Sequence, residues 1–278
     1  MRQGAVLGVA AVVAVSLVYV TGAPPAAADD SQPAKIQQTV TIIYWPANAT
    51  GQVQFSANRG TLNGNGTLSL PFWILDYRLT TPWNVGFHLD YGPYEPASGL
   101  ANPAQSTSAG LWNADVFYNW TIPLKPPAVI IFEPFAGYGE THVNNSVTTA
   151  LGNLVTESTV YSGIYLGANA ILPLSEHFFI VGSGTWYPWS NATFNLNAPG
   201  VGLSGSASAS APQYIYSVSF AYQTSSLWTF SLGYEWYGVS VSGVPLSTMT
   251  ARGETIGGAF CPCNSQFSGP TFAVGKTF

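Results

Sequence analysis

The sequence is short of charge: Asp, Glu, Lys and Arg make up only 7% of its 278 residues. Soluble domains carry roughly a quarter charged residues, so this surface cannot be hydrated in the ordinary way. Long apolar runs are also missing. After the first 25 residues none reaches the roughly 18 that a membrane-crossing helix needs. Basic residues are scarce, 7 Lys and Arg against 12 Asp and Glu, and the net charge of −5 offers no footprint for nucleic acid. Cysteine is limited to Cys261 and Cys263, which flank Pro262 in a Gly-, Pro- and Asn-rich stretch. An oxidising compartment permits a bond between them. None of the three histidines (His88, His142, His177) shares that stretch, so it lacks the ligands of a metal site. Low charge without a spanning helix leaves two architectures. One is a secreted, aromatic-rich β-sandwich. The other is a closed barrel whose lipid-facing side chains fill every second position.

What is present begins with an export signal. Arg2 supplies a positive start, Ala5 to Val20 an apolar run of 16 residues, and Ala26-Ala27-Ala28 a small-residue cleavage site before Asp29 and Asp30. Residues 1–28 are therefore expected to be removed, and 29–278 to form one folded domain.

Within that domain the apolar residues keep a period of two. Tyr214, Tyr216, Val218, Phe220 and Tyr222 alternate with Gln213, Ile215, Ser217, Ser219, Ala221 and Gln223. After Thr224-Ser225-Ser226 the pattern restarts, with Trp228, Phe230, Leu232, Tyr234 and Trp236 against Thr229, Ser231, Gly233 and Glu235. Two such runs across a short turn make a hairpin. A second hairpin sets Trp73, Leu75, Tyr77 and Leu79 beside Trp83, Val85, Phe87, Leu89 and Tyr91. Residues 111–122 and 129–140 form a third, and 161–172 and 178–189 a fourth, in which the inner face of 178–189 stays unassigned. Polar stretches near 46–66, 92–110, 141–157, 194–212 and 243–266 read as long external loops, among them the Gly60–Gly66 and Ser204–Ala211 segments. Adding Gln38–Trp45 as a first strand and Gln266–Phe278 as a last gives ten. Eight or twelve also satisfy the pattern, since Gly51–Phe55 could stand as a strand of its own. The fold expected is all-β, a closed antiparallel transmembrane barrel. A sandwich turns its apolar face inward and needs charge outside, which this chain does not have.

The last strand ends Thr271-Phe272-Ala273-Val274-Gly275-Lys276-Thr277-Phe278. It resembles the terminal strand of Gram-negative outer-membrane β-barrel proteins, whose alternating apolar residues finish in a C-terminal Phe. Phe272, Val274 and Phe278 match; Lys276 departs, and snorkels at a membrane edge. The resemblance, to porin-like or OmpA-type barrels without a periplasmic domain, implies residence in the outer membrane. It also implies contact with its lipid and reading of Phe278 by the barrel-assembly machinery.

Charged residues cluster on the face opposite the aromatics: Asp76, Arg78, His88, Asp90, Asp115, Glu133 and Glu235. Charge facing lipid at mid-depth costs a few kcal/mol, so these are expected to line a small polar lumen. They form either a structural network or a constriction passing small solutes, and carboxylates outnumber the one arginine, which favours cations. Trp73, Trp83, Trp112, Trp120, Tyr214, Tyr222, Trp228 and Trp236 are expected in lipid or at its interfaces. Function is read as a passive, narrow porin-like channel or a structural barrel; the alternative is adhesion or a coat through neutral external loops. A hydrolase comes third, with His88 and Asp90 as base and orienter. They stand two residues apart, about 6.7 Å along a strand, and no nucleophile is marked by motif. No enzyme and no cofactor are therefore expected. Five Asn-x-Ser/Thr triplets begin at Asn48, Asn65, Asn119, Asn144 and Asn191, and indicate glycosylation weakly.

Overall fold

A computed structural model describes residues 35–57, 60–96, 105–124, 129–148, 154–199, 203–241, 244–251, 254–261 and 265–278. The expected signal segment and Cys263 lie outside these residues. Most of the described chain is strand: β1 (Gln37–Ala57), β2 (Gly60–Thr80), β3 (Val85–Pro96), β4 (Gln105–Tyr118), β5 (Trp120–Pro123), β6 (Val129–Thr148) and β7 (Leu154–Pro173). These are followed by β8 (Phe178–Ala198), β9 (Leu203–Ser210), β10 (Gln213–Gln223), β11 (Trp228–Val239), β12 (Val244–Ala251), β13 (Glu254–Cys261) and β14 (Ser265–Thr277).

Antiparallel pairing runs β1-β2-β3-β4-β6-β7-β8-β10-β11-β14 and returns to β1, which closes a ring of ten strands. Closure leaves no free edge, the condition for backbone in lipid, and it rules out the two packed sheets of a sandwich. β5 extends β4 past a break at Asn119. β9, β12 and β13 lie beyond the ring's far end, β9 on β8 and β13 on the upper edge of β1.

The start of β1 at Gln37, the C-terminal Phe278 and the short turns share one end. In the turn 81–84 the Thr81 amide donates to the Val85 carbonyl at 2.9 Å, and Asn84 adopts φ 62°. The turn 224–227 repeats the arrangement, with Thr224 N to Trp228 O at 2.8 Å and Leu227 at φ 64°. A left-handed residue closing such a turn matches the twist of the strands it joins, and Asn tolerates that conformation better than Leu.

At the opposite end the expectation of long loops is corrected. β1 and β2 carry 21 residues each and β6 and β7 carry 20, about twice the 9–11 that cross a membrane. Much of 46–66, 141–157 and 194–212 is therefore strand. Gly51–Phe55 continues β1, Gly60–Gly66 opens β2, and most of Ser204–Ala211 is β9. Outside the bilayer the outer face meets water, so a strand there needs no large apolar residue at every second position. The alternation that identified the lower halves stops while the backbone pairing continues.

Outward positions of the lower halves form an exposed apolar belt with aromatic rims. Along β11 it runs from Trp228 through Phe230, Leu232 and Tyr234 to Trp236, all at least 38% exposed, a span of about 27 Å along the strand. The register carries the upper rim from strand to strand. Tyr44 pairs with Trp73, Tyr91 with Trp112, Ile164 with Trp189, Trp186 with Tyr214 and Tyr216 with Trp236. The face left unassigned in 178–189 has a local cause. Pro188 sits in a bulge opposite Ile164 to Leu166, so Trp186 and Trp189 both point outward, and the inner row runs Phe179, Val181, Thr185, Tyr187, Ser190.

The interior also departs from expectation. Among the described residues the charged part of the lumen lies at belt level. Above it Ile43, Trp45, Leu70, Phe72, Leu111, Tyr161, Phe194, Tyr237 and Phe267 pack into one apolar core. Below, near the turns, Ile171, Phe179, Val181 and Ala221 form a smaller one. Phe72 and Ile74 already stand on the inner face in sequence, two steps from Asp76.

Candidate functional site

Between these two apolar layers lie all seven residues expected inside: Asp76 and Arg78 on β2, His88 and Asp90 on β3, Asp115 on β4, Glu133 on β6 and Glu235 on β11. Each is at most 7% exposed. The register brings them together. Asp76 faces Asp90 and Arg78 faces His88 across β2–β3, and His88 faces Asp115 across β3–β4.

His88 is the hub. Its Nδ1 lies 2.8 Å from Asp115 Oδ2 and its Nε2 lies 2.6 Å from Asp76 Oδ2. Asp90 Oδ1 is paired with Nε2 at 3.2 Å, but neither Asp90 oxygen makes a hydrogen bond. Asp115 also accepts from the Tyr165 hydroxyl at 2.8 Å. That reach depends on Gly137: a Cβ there would stand 2.6 Å from the Tyr165 ring and 2.3 Å from the Ala114 carbonyl oxygen. Sequence reasoning passed over both residues, although Gly137 and Tyr165 are direct cross-strand partners. Arg78 is paired with Glu133, which also accepts from Asn169 Nδ2 at 2.8 Å, and its guanidinium lies 3.8 Å from the Phe117 ring centre. Phe117 fills the space over Gly86, its partner on β3. The remaining void among Arg78, His88, Asp115, Phe117, Glu133, Phe135 and Asn169 is about 10 Å³, room for at most one water. Glu235 stands apart, with neither carboxylate oxygen hydrogen-bonded.

The residues expected in lipid or at its interfaces are on the outside. Trp73, Trp83, Trp120, Tyr214, Tyr222, Trp228 and Trp236 are exposed, and Trp112 is half-buried against Tyr138 with ring centres 5.7 Å apart. Trp83 and Trp228 mark the turn end, Trp73 and Trp236 the upper rim. Just above that rim Glu140 accepts from Trp112 Nε1, the Tyr138 hydroxyl and His142 Nε2 at 3.1–3.3 Å. Burial pushes its carboxyl up, but hydrogen bonds from His142, Tyr138 and Trp112 outweigh this and hold it below the ordinary value. At the C-terminus Lys276 donates to the Ser226 carbonyl and lies 5.5 Å from the Trp228 ring centre. The departure from the terminal pattern is thus tied to the neighbouring turn.

A second feature lies outside the barrel wall above the belt. The register aligns Ser106, Ser146, Thr156 and Asn197 in one row, and Ser108, Asn144, Ser158 and Asn195 in the next. Together they line an open hollow of about 480 Å³. β9 adds the exposed Ser204, Ser206, Ser208 and Ser210, while Ala207 and Ala209 pack inward. The hollow contains only hydroxyls and carboxamides, with no charge.

No family model and no curated protein matches the chain in sequence. Solved structures do match. The outer membrane protease OmpT from Escherichia coli superimposes with a TM-score of 0.53 at 13% identity, over 87% of this chain and 96% of that one. The translocator domain of the autotransporter NalP from Neisseria meningitidis gives a TM-score of 0.45 at 11% identity, over 90% of this chain and 91% of the other. At such identities the likeness is one of fold. Ring closure, the apolar belt between aromatic rims and this likeness of fold make the chain a closed, ten-stranded β-barrel built like that outer-membrane barrel.

Proposed function

We propose that this protein is a closed structural barrel that anchors an external contact surface in the outer membrane, rather than a passive channel. The observation that carries the reading is the filling of the interior. A solute crossing the barrel would have to pass the upper apolar core around Trp45, Phe72, Tyr161 and Phe267, all at most 1% exposed. It would then meet the Arg78–Glu133 pair and the His88 cluster, with about 10 Å³ left between them. Apolar constrictions block ions by dewetting. A hydrolase at His88 meets the same obstacle: both ring nitrogens already face carboxylates and the residue is 7% exposed, so no substrate group reaches it.

What remains accessible is the wall above the belt. Its rows of Ser, Thr and Asn suit a neutral, hydroxyl-rich polymer, because uncharged donors and acceptors exchange water for such a partner at small desolvation cost. This favours adhesion or a coat role.

Two measurements separate the readings. Folded protein in planar bilayers should give no conductance steps; stable single-channel openings would restore the porin-like channel. Cells displaying the protein should attach to neutral polysaccharide, and Ser146→Asp with Ser158→Asp should reduce attachment several-fold. Attachment unchanged by both charges would count against the contact surface.

A further inference from the structure

The polar layer inside the belt is unbalanced in charge. Five carboxylates (Asp76, Asp90, Asp115, Glu133, Glu235) share the space with one arginine and one histidine, and Arg78 is committed to Glu133. Buried carboxylates are retained when they are paired or when they coordinate a cation. Here the geometry points to a cation.

We propose that Asp76, His88 and Asp90 form a binding site for a first-row divalent metal ion such as zinc. One atom from each, His88 Nε2 and a carboxylate oxygen from either aspartate, lies within 4.8 Å of the others. One imidazole nitrogen and two carboxylates is a donor set for zinc and its first-row neighbours rather than for calcium or magnesium, which prefer all-oxygen shells. A metal would replace the Nε2 proton, with His88 Nε2 and Asp76 Oδ2 moving apart from their present 2.6 Å to admit bonds of about 2.0–2.1 Å.

Two observations beyond the cluster itself support the assignment. Asp90 is 1% exposed and aimed at His88, yet both its oxygens lack a hydrogen-bond partner, as does Asp76 Oδ1. Buried acceptors without a hydrogen bond are uncommon, and a metal supplies what they lack. The other ring nitrogen is also arranged as metal-bound histidines require. Nδ1–H donates to Asp115 at 2.8 Å, and Asp115 is held in turn by the Tyr165 hydroxyl at 2.8 Å, room for which is left by Gly137. Metal-ligating histidines almost always donate their second N–H to a carboxylate, a backbone carbonyl or water, which fixes tautomer and ring plane. Asp115 and Tyr165 are positioning residues in this scheme, and the site ties β2 to β3 and, through His88 and Asp115, to β4.

The test is metal content of the full-length protein refolded into detergent in the presence of zinc and then desalted. Wild type should retain about one zinc per chain; Asp90→Asn, folded by heat-modifiable gel migration, should retain at least tenfold less. The surface pair Glu140 and His142, 3.3 Å apart, is the control: Glu140→Gln should keep the full equivalent. Refolding with cobalt gives a second readout, of which the wild-type band stands on its own. Wild type should show visible d–d absorption of a bound ion, shifted in Tyr165→Phe, which leaves the three ligands but removes a hydrogen bond to Asp115. Wild type holding no more zinc than Asp90→Asn, or zinc lost with Glu140→Gln instead, overturns the proposal. Wild type refolded with cobalt and lacking any d–d band overturns it equally, even if Asp90→Asn fails to fold.

Discussion

The lower and upper halves of the same strands are built on opposite plans. On β2 the inner residues pass from Leu70, Phe72 and Ile74 to Asp76 and Arg78, while the outer ones pass from Ser69 to Trp73, Leu75 and Tyr77. β4 makes the same change between Leu111 and Asn113 inside, and between Ser108 and Trp112 outside. Above the rim the barrel is organised like a water-soluble protein, with an apolar core and a polar skin. Below, lipid replaces water outside and the polar groups move within. One hydrogen-bonded backbone serves both, because pairing is indifferent to which face is wet. Solvent thus dictates side chain, position by position, along a continuous strand.

The comparison breaks most severely where the inner polar layer loses a partner. Arg78→Ala leaves Glu133 buried without its counter-charge, and removing one member of a buried pair costs about 3–5 kcal/mol. The folded, heat-modifiable fraction after urea titration should fall accordingly, and recovery by the double variant Arg78→Met with Glu133→Leu would identify charge rather than packing as the cause. Next comes a pair of substitutions that differ only in height. Leu75→Arg puts a cation into the belt and should cost about 2–4 kcal/mol. Ser158→Arg, on the outer wall above the rim, should stay within about 0.5 kcal/mol of wild type. Equal effects from the two would mean that belt and wall face the same solvent. Smaller again is Gly137→Ala, whose methyl meets the Ala114 carbonyl oxygen at 2.3 Å. Overpacking of this kind costs about 1–3 kcal/mol, and loss of the Tyr165 hydrogen bond should appear in its ultraviolet absorption. An unshifted tyrosine spectrum would mean that the glycine does not set that contact.

The sequence was most legible where one face met lipid. In 213–236 every second residue is large and apolar, so strands, turn and orientation follow from periodicity alone. The ring of ten follows from counting such runs. The upper halves were not legible, because Ser, Asn and Gly on a water-facing wall look like loop composition, and the inner residues opposite them are too few per strand to set a period. The Ser204–Ser210 run is the clearest instance. For the site, alternation set seven charged residues on the inner face but joined only His88 with Asp90, neighbours on one strand. Asp76 and Asp115 reach the same imidazole across strands, and that needs register. The hairpin after Thr80 carried the missing signal: pairing back from its turn sets Arg78 opposite His88 and Asp76 opposite Asp90. Tyr165 lay further off, since its hydroxyl crosses two strand spacings through space that only Gly137 leaves open.

The reversal between Ile74 and Asp76 has a further bearing on how the protein sits. A barrel apolar on the outside along its whole height could ride up or down as membrane thickness varied. Here a rise of one residue pair would lift Trp73 out of the interface and bring the level of Asp76 and His88 nearer water, while a descent would draw Glu140 and its cross-strand partner Ser162 on β7 into hydrocarbon. Each displacement carries a free-energy cost of opposite origin, so the height of the molecule is pinned from both directions, and mismatch has to be absorbed by the surrounding lipid.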